Sequence, residues 1–213
     1  MYYLFELSLI KIREKIMNLK KSLSILVLSL FTLISTANAG LIQGSLNVDN
    51  SHTVYISTDD TVQGVNVSSL SNWTMTDTFS SALTAGTDYF LHVKASNITG
   101  PAGFLGSFNL DGSEHLFANG LDNVVTNTTD WAVSSSGWGA YGAASSYGTN
   151  GVAPWGMQLG VDSSAEWIWT AGVANFDERY FTIAINAVDV PEPSTLAILG
   201  LSLFIFGARR FSK

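Results

Sequence analysis

The strongest constraint in this sequence is the two-residue alternation of its middle. Tyr89, Leu91, Val93 and Ala95 fall on one face of an extended segment, with Phe90, His92 and Lys94 on the other. Phe181, Ile183 and Ile185 repeat the pattern against Tyr180, Thr182 and Ala184, and Thr53–Ser57 alternates until it meets Asp59-Asp60. Successive strand side chains point to opposite faces, so this period reads as strands with one buried face. No sustained 3.6-residue apolar stripe occurs between residues 40 and 189. Further strands are expected around Leu41–Val48, Val62–Val67, Asn72–Phe79, Gly103–Leu110 and Glu166–Thr170. The intervening Gly, Ser, Thr and Asn are turn formers, and many short strands at this spacing predict an all-β sandwich or jelly roll with its own core.

Charge divides the chain into three parts. Between Gly40 and Asp189 only Lys94 and Arg179 are basic, against 14 acids, a net charge of −12; the whole chain carries −7. A nucleic-acid partner needs a basic footprint, which this segment lacks, whereas a cation or a neutral glycan suits it. With no cysteine, neither a disulfide framework nor a thiolate zinc site is available.

The other basic residues mark the two ends. Lys20 and Lys21 precede a 12-residue apolar run, Leu23–Ile34, followed by Ala37-Asn38-Ala39. A basic start, a short apolar run and an A-x-A site constitute a secretory signal peptide, and the run is too short for a membrane span of about 20 residues. Cleavage is expected between Ala39 and Gly40, which assigns residues 1–39 to the signal. Met17 opens a signal of ordinary length, so residues 1–16 read as an over-extended start or a long basic region.

At the other end Val190-Pro191-Glu192-Pro193-Ser194-Thr195 leads into an apolar stretch to Ala208 and then Arg209-Arg210. Pro191 and Pro193 hold an extended segment that a protease could thread. Thr195–Ala208 is 14 residues, about 21 Å as a helix against about 30 Å of hydrocarbon, so it suits a pause in the membrane better than permanent anchoring. The Arg pair stays cytoplasmic by the positive-inside bias, leaving the acidic middle outside. This order of parts, over residues 190–213, resembles the PEP-CTERM sorting signal of Gram-negative bacteria. The resemblance implies recognition by the membrane transpeptidase exosortase, cleavage near Pro191–Pro193, and transfer of residues 40–189 to the cell surface or extracellular polymer matrix. A plain C-terminal membrane anchor is the alternative.

The middle has a second resemblance. Val54-Tyr55-Ile56-Ser57-Thr58-Asp59-Asp60, then Trp73, then Leu83–Val93, then Ala165-Glu166-Trp167-Ile168-Trp169 before Tyr180-Phe181 look like the galactose-binding-like jelly rolls attached to bacterial glycosidases. That resemblance implies a domain that binds sugars or packs beside a partner.

Six Trp all lie in the middle. Trp167 and Trp169 read as core. Ser134–Gly156 reads as a long Gly/Ser loop displaying Trp138, Tyr141, Tyr147 and Trp155; long loops tend to be functional, and exposed aromatics suit stacking on sugar rings. The same loop could instead fold back over the barrel mouth with these rings buried. Asp59 and Asp60 are candidate Ca2+ ligands, the one cofactor considered, although a turn-forming role is simpler. Asp111-Gly112 reads as a hairpin turn. His52, His92 and His115 form no metal-binding or catalytic spacing, and no nucleophile elbow, P-loop or dinucleotide fingerprint is present. The chain is therefore expected to be non-enzymatic. A self-associating matrix protein and a divergent glycoside hydrolase are the alternatives, the latter requiring two carboxyls about 5–10 Å apart across a cleft.

Overall fold

A computed structural model describes residues 13–17, 40–188 and 200. Ala37–Val190 forms one unit, separate from the terminal segments Met1–Thr36 and Pro191–Lys213. Residues 13–17 are helical. Among the described residues no helix is long and apolar enough to cross a membrane. The expected apolar helices, Ala37, Ala39 and the sorting residues from Pro191 to Arg210 lie outside the described residues.

Thirteen strands follow in order: β1 Gly40–Asp49, β2 Ser51–Ser57, β3 Val65–Leu70, β4 Asp77–Leu83, β5 Tyr89–Asn97, β6 Gly103–Asp111, β7 His115–Phe117, β8 Asn123–Val125, β9 Ala132–Ser134, β10 Gly142–Ala143, β11 Ser145–Thr149, β12 Glu166–Trp169 and β13 Asp177–Ala187. They form two antiparallel sheets packed as a β-sandwich. One sheet has the order β11-β12-β6-β1-β4, with β8 also on β6; the other runs β10-β9-β13-β5-β2-β3, with β7 also on β13.

Alternation places the core between the sheets. Ile42, Leu46, Phe104 and Phe108 from one sheet meet Val54, Leu91, Val93, Phe181, Ile183 and Ile185 from the other, all 0–2% exposed. Phe104 lies 5.0 Å from both Phe181 and Trp131, ring centre to ring centre, which ties the layers together. His52 adds a polar tie: its Nε2 is 2.9 Å from Asp77 Oδ2, which also accepts from the Ser68 hydroxyl at 2.6 Å.

A second, smaller core sits on the outer face of the β1/β6/β12 sheet. Residues 150–165 fold across it, burying Leu105, Trp155, Val161, Ala165 and Trp167. Trp155 stacks on Trp167 at 4.5 Å, and its indole N–H donates to Asp49 Oδ2 at 2.9 Å. Gly103 permits this approach: a Cβ there would stand 2.7 Å from Trp167 and 3.3 Å from Trp155. Burial raises the pKa of Asp49, partly offset by the indole hydrogen bond.

Asp111-Gly112 is not a hairpin turn. β6 pairs with β8 and β1, whereas β7 pairs with β13, so the turn carries the chain from one sheet to the other.

Candidate functional site

Strand register builds the site on the outer face of the second sheet. Tyr55, His92, Thr182 and Ala132 form one row across β2, β5, β13 and β9; Thr53, Lys94, Tyr180 and Ser134 form the next. An outward row in a sandwich is ordinarily polar and wet. Here His92 is 0% exposed and Thr182 6%, because two loops close over them.

The β2–β3 loop comes from one side. Asp59 Oδ1 accepts from the Thr61 N–H and hydroxyl, forming the turn, while Asp59 C=O accepts from the Val62 N–H. The turn delivers Asp60 over β5 and β13. Asp60 Oδ1 accepts from the Thr182 hydroxyl at 2.7 Å and lies 3.2 Å from His92 Nε2. The β9–β10 loop comes from the other side, where the Tyr141 hydroxyl donates to the Asp60 carbonyl at 2.8 Å. Burial is the main cause that pushes the Tyr141 phenol up to about 12, so it remains a donor well into alkaline solution. Asp60 thus pins both loops to the sheet.

The pinned loop carries Trp138. Its indole lies flat on His92, with centres 4.3 Å apart and planes 11° apart. Tyr180 and Tyr55 meet it edge-on at 4.9 and 6.1 Å. The indole remains partly exposed. Around this platform Lys94 pairs with Glu178 at 2.8 Å, and the Tyr180 hydroxyl donates to the other Glu178 oxygen at 3.1 Å. Lys94 holds the Glu178 carboxyl below its ordinary value, and Glu178 raises Lys94 in return.

The arrangement sets a flat, partly exposed aromatic ring near hydroxyl, carboxylate and ammonium groups. Among the described residues no group of three or more His, Cys, Asp or Glu side chains could hold a metal ion.

Residues 189–210 match the family described as the PEP-CTERM protein-sorting motif. The chain carries an exosortase sorting signal. That signal marks an exported protein, handed to exosortase for processing and destined for the cell envelope or surface. Comparison with curated proteins and with solved structures finds no match, and the galactose-binding-like resemblance gains no support from them. The Pro191, Glu192, Pro193, Arg209 and Arg210 set expected to carry the signal falls within the matched span.

In this exported protein the four aromatic residues expected on one loop do not act together. Ser134–Gly156 is not a structureless loop, because it crosses between sheets: β10 pairs with β9 in one and β11 with β12 in the other. Trp138 and Tyr141 precede the crossing and reach the site. Tyr147 lies in β11, its hydroxyl donating to the Thr170 carbonyl at 2.9 Å. Trp155 is 7% exposed in the outer core and cannot offer its face to a ligand. Trp167 and Trp169 are 0% exposed, as expected of core residues. Asp59 forms a turn and Asp60 a clasp. His92, Tyr180 and Thr182 were not singled out as site residues; the signal available for them was the outward half of two well-alternating strands.

Proposed function

We propose that the exported β-sandwich is a non-enzymatic carbohydrate-binding domain of the cell surface or its matrix, contacting polysaccharide through the Trp138 platform. The observation that carries this reading is the partly exposed Trp138 indole laid flat on buried His92. Sugar rings present C–H faces that match such a surface, and a preformed ring loses little freedom on binding. The hydroxyl and carboxylate groups at its border supply hydrogen bonds that fix orientation. Affinity electrophoresis through gels containing extracellular polysaccharide tests the reading. Wild type is retarded and Trp138→Ala is not, whereas Leu159→Ser, 83% exposed on the other sheet's side, is retarded like wild type. Equal retardation of wild type and Trp138→Ala contradicts it.

A second reading, self-association, is favoured by Phe176. It is 84% exposed at φ +56°, beside Ile98 at 53%, whose carbonyl accepts its N–H at 3.1 Å. A non-glycine residue in the left-handed region with its ring in water is a costly arrangement for folding alone. Concentration-dependent sedimentation that Phe176→Ser abolishes supports this reading; monomeric behaviour at all concentrations removes it.

A further inference from the structure

We infer that the β-sandwich holds a built site for its own new N-terminus. Once the signal peptide is cut away, the Gly40 ammonium turns into a cradle of three acceptors, the Asp111 carbonyl, His115 Nδ1 and the Glu114 carboxylate, and fixes the start of β1. The premise is the cleavage expected between Ala39 and Gly40; the carbohydrate reading is not involved.

The inference starts from an unpaired buried atom. His115 is 3% exposed, and its Nε2 lies 3.0 Å from the Thr87 carbonyl. A carbonyl only accepts, so Nε2 carries the proton and Nδ1 of the neutral ring presents a lone pair. That buried Nδ1 has no hydrogen-bond partner among the described residues. A buried acceptor left without a donor is costly, and native structures rarely leave one so.

Gly40 marks the place for a donor and is itself buried. A Cβ on Gly40 would stand 3.3 Å from the Asp111 carbonyl oxygen, 3.4 Å from His115 Nδ1 and 3.9 Å from Glu114 Oε2. Three acceptors around one point make a poor seat for a methyl group and a good one for an ammonium, which has three N–H donors. Rotation about the Cα–C bond of a first residue carries its nitrogen to that same point, because nitrogen and Cβ stand at similar distances from Cα. The first two distances exceed hydrogen-bond length by a few tenths of an ångström, and the flexible Glu114 side chain can shorten the third. Glycine leaves the seat open, since it fills the point with hydrogen only.

Cleavage is what frees the nitrogen to turn. While Gly40 is joined to Ala39, the rotation would drag the preceding chain with it, and the nitrogen is an amide with a single N–H. Hydrolysis of that amide consumes one water and leaves a carboxylate on Ala39 and an amine on Gly40, which is protonated at neutral pH. The ammonium then meets a carboxylate and two neutral acceptors, and such charge-assisted hydrogen bonds are the stronger kind.

The test uses protein exported by cells and compares the native chain with one carrying an added Ser between Ala39 and Gly40. Ala37 and Ala39 still direct cleavage there, but Gly40 is no longer the first residue; intact mass confirms each start. The native chain should unfold about 3–6 °C higher than the Ser-extended one, the scale of one charge-assisted hydrogen bond in a domain of this size. Glu114→Gln should lower the midpoint of the native chain and leave that of the Ser-extended chain nearly unchanged. Histidine 15N NMR follows the acceptor directly: the His115 Nδ1 resonance should lie upfield in the native chain, as for an accepted hydrogen bond, relative to the Ser-extended chain. Equal midpoints, a Glu114→Gln effect of the same size in both chains, or an unchanged His115 resonance each overturns the inference. A mature chain that begins elsewhere than Gly40 also overturns it, while leaving the C-terminal sorting signal untouched.

Discussion

Replacing Asp60 with alanine should disable the clasp while leaving the sandwich core in place. The change removes the acceptor of the Thr182 hydroxyl and the oxygen facing His92 Nε2. Both groups are buried, Thr182 at 6% exposure and His92 at 0%, so water replaces the lost partner poorly. Leaving a buried polar group unpaired costs about 1–3 kcal/mol. Two such groups would cost about 2–6 kcal/mol; the one-third exposure of Asp60 admits some water and favours the lower part, about 2–3 kcal/mol. For a domain of this size each kcal/mol moves the midpoint by about 2–4 °C, so a fall of about 4–12 °C is expected. Asp59→Ala is the internal comparison. Its bonds to Thr61 are exposed, water takes them over, and the midpoint should move much less. Thermal unfolding followed by near-ultraviolet circular dichroism reads both variants, because the Trp138 signal depends on the pinned loop. If Asp59→Ala destabilises as much as Asp60→Ala, the clasp is a surface turn and the argument for a held platform fails.

Tyr141 gives an alkaline signature. Its phenol titrates near 12 in the fold, so the folded chain holds a proton that the unfolded chain releases above about 10. Stability from this contact is intact below pH 10 and declines towards pH 12, which a stability–pH series of wild type against Tyr141→Phe detects. His52 gives the acid counterpart: burial lowers its pKa from 6.5, against the opposing effect of the hydrogen bond accepted by Asp77. The fold therefore binds fewer protons than the unfolded chain as pH falls below 6.5, so the midpoint should decrease there, with a shallower slope in His52→Gln. Gly103→Ala should cost about 1–3 kcal/mol by overpacking the outer core, with loss of the circular-dichroism signal of the stacked Trp155–Trp167 pair.

The long strands were legible because one face of each had to be apolar. β1, β5, β6 and β13 fall where the alternation predicts, and their inward residues form the core. β3 begins at Val65, three residues later than the expected Val62, because the Asp59 turn runs on to Gly64 at φ +84°. Likewise Asn72–Thr76 is not strand: Asn72 Oδ1 accepts from the Thr74 N–H and hydroxyl, so β4 starts at Asp77. Such side-chain turns compete with strand pairing locally and leave no periodic trace. The site was half legible. Trp138 and Tyr141 stood out as aromatic residues in a Gly/Ser segment, but the sheet crossing that parts them from Tyr147 and Trp155 depends on pairing partners distant in sequence. His92 gains its role only when register sets it between Tyr55 and Thr182.

Both ends of the β-sandwich leave from the same region. Gly40 lies beside Asp111 and His115, and the Val188 N–H donates to the neighbouring Glu114 carbonyl at 2.8 Å. Intact-mass spectrometry of the protein recovered from cells with and without exosortase tests the sorting most directly. With the enzyme, the mature chain should begin at Gly40 and end near Pro191–Pro193; without it, the C-terminal segment should be retained. Recovery from the cytosol with both ends intact, whether or not exosortase is present, would contradict export and sorting together.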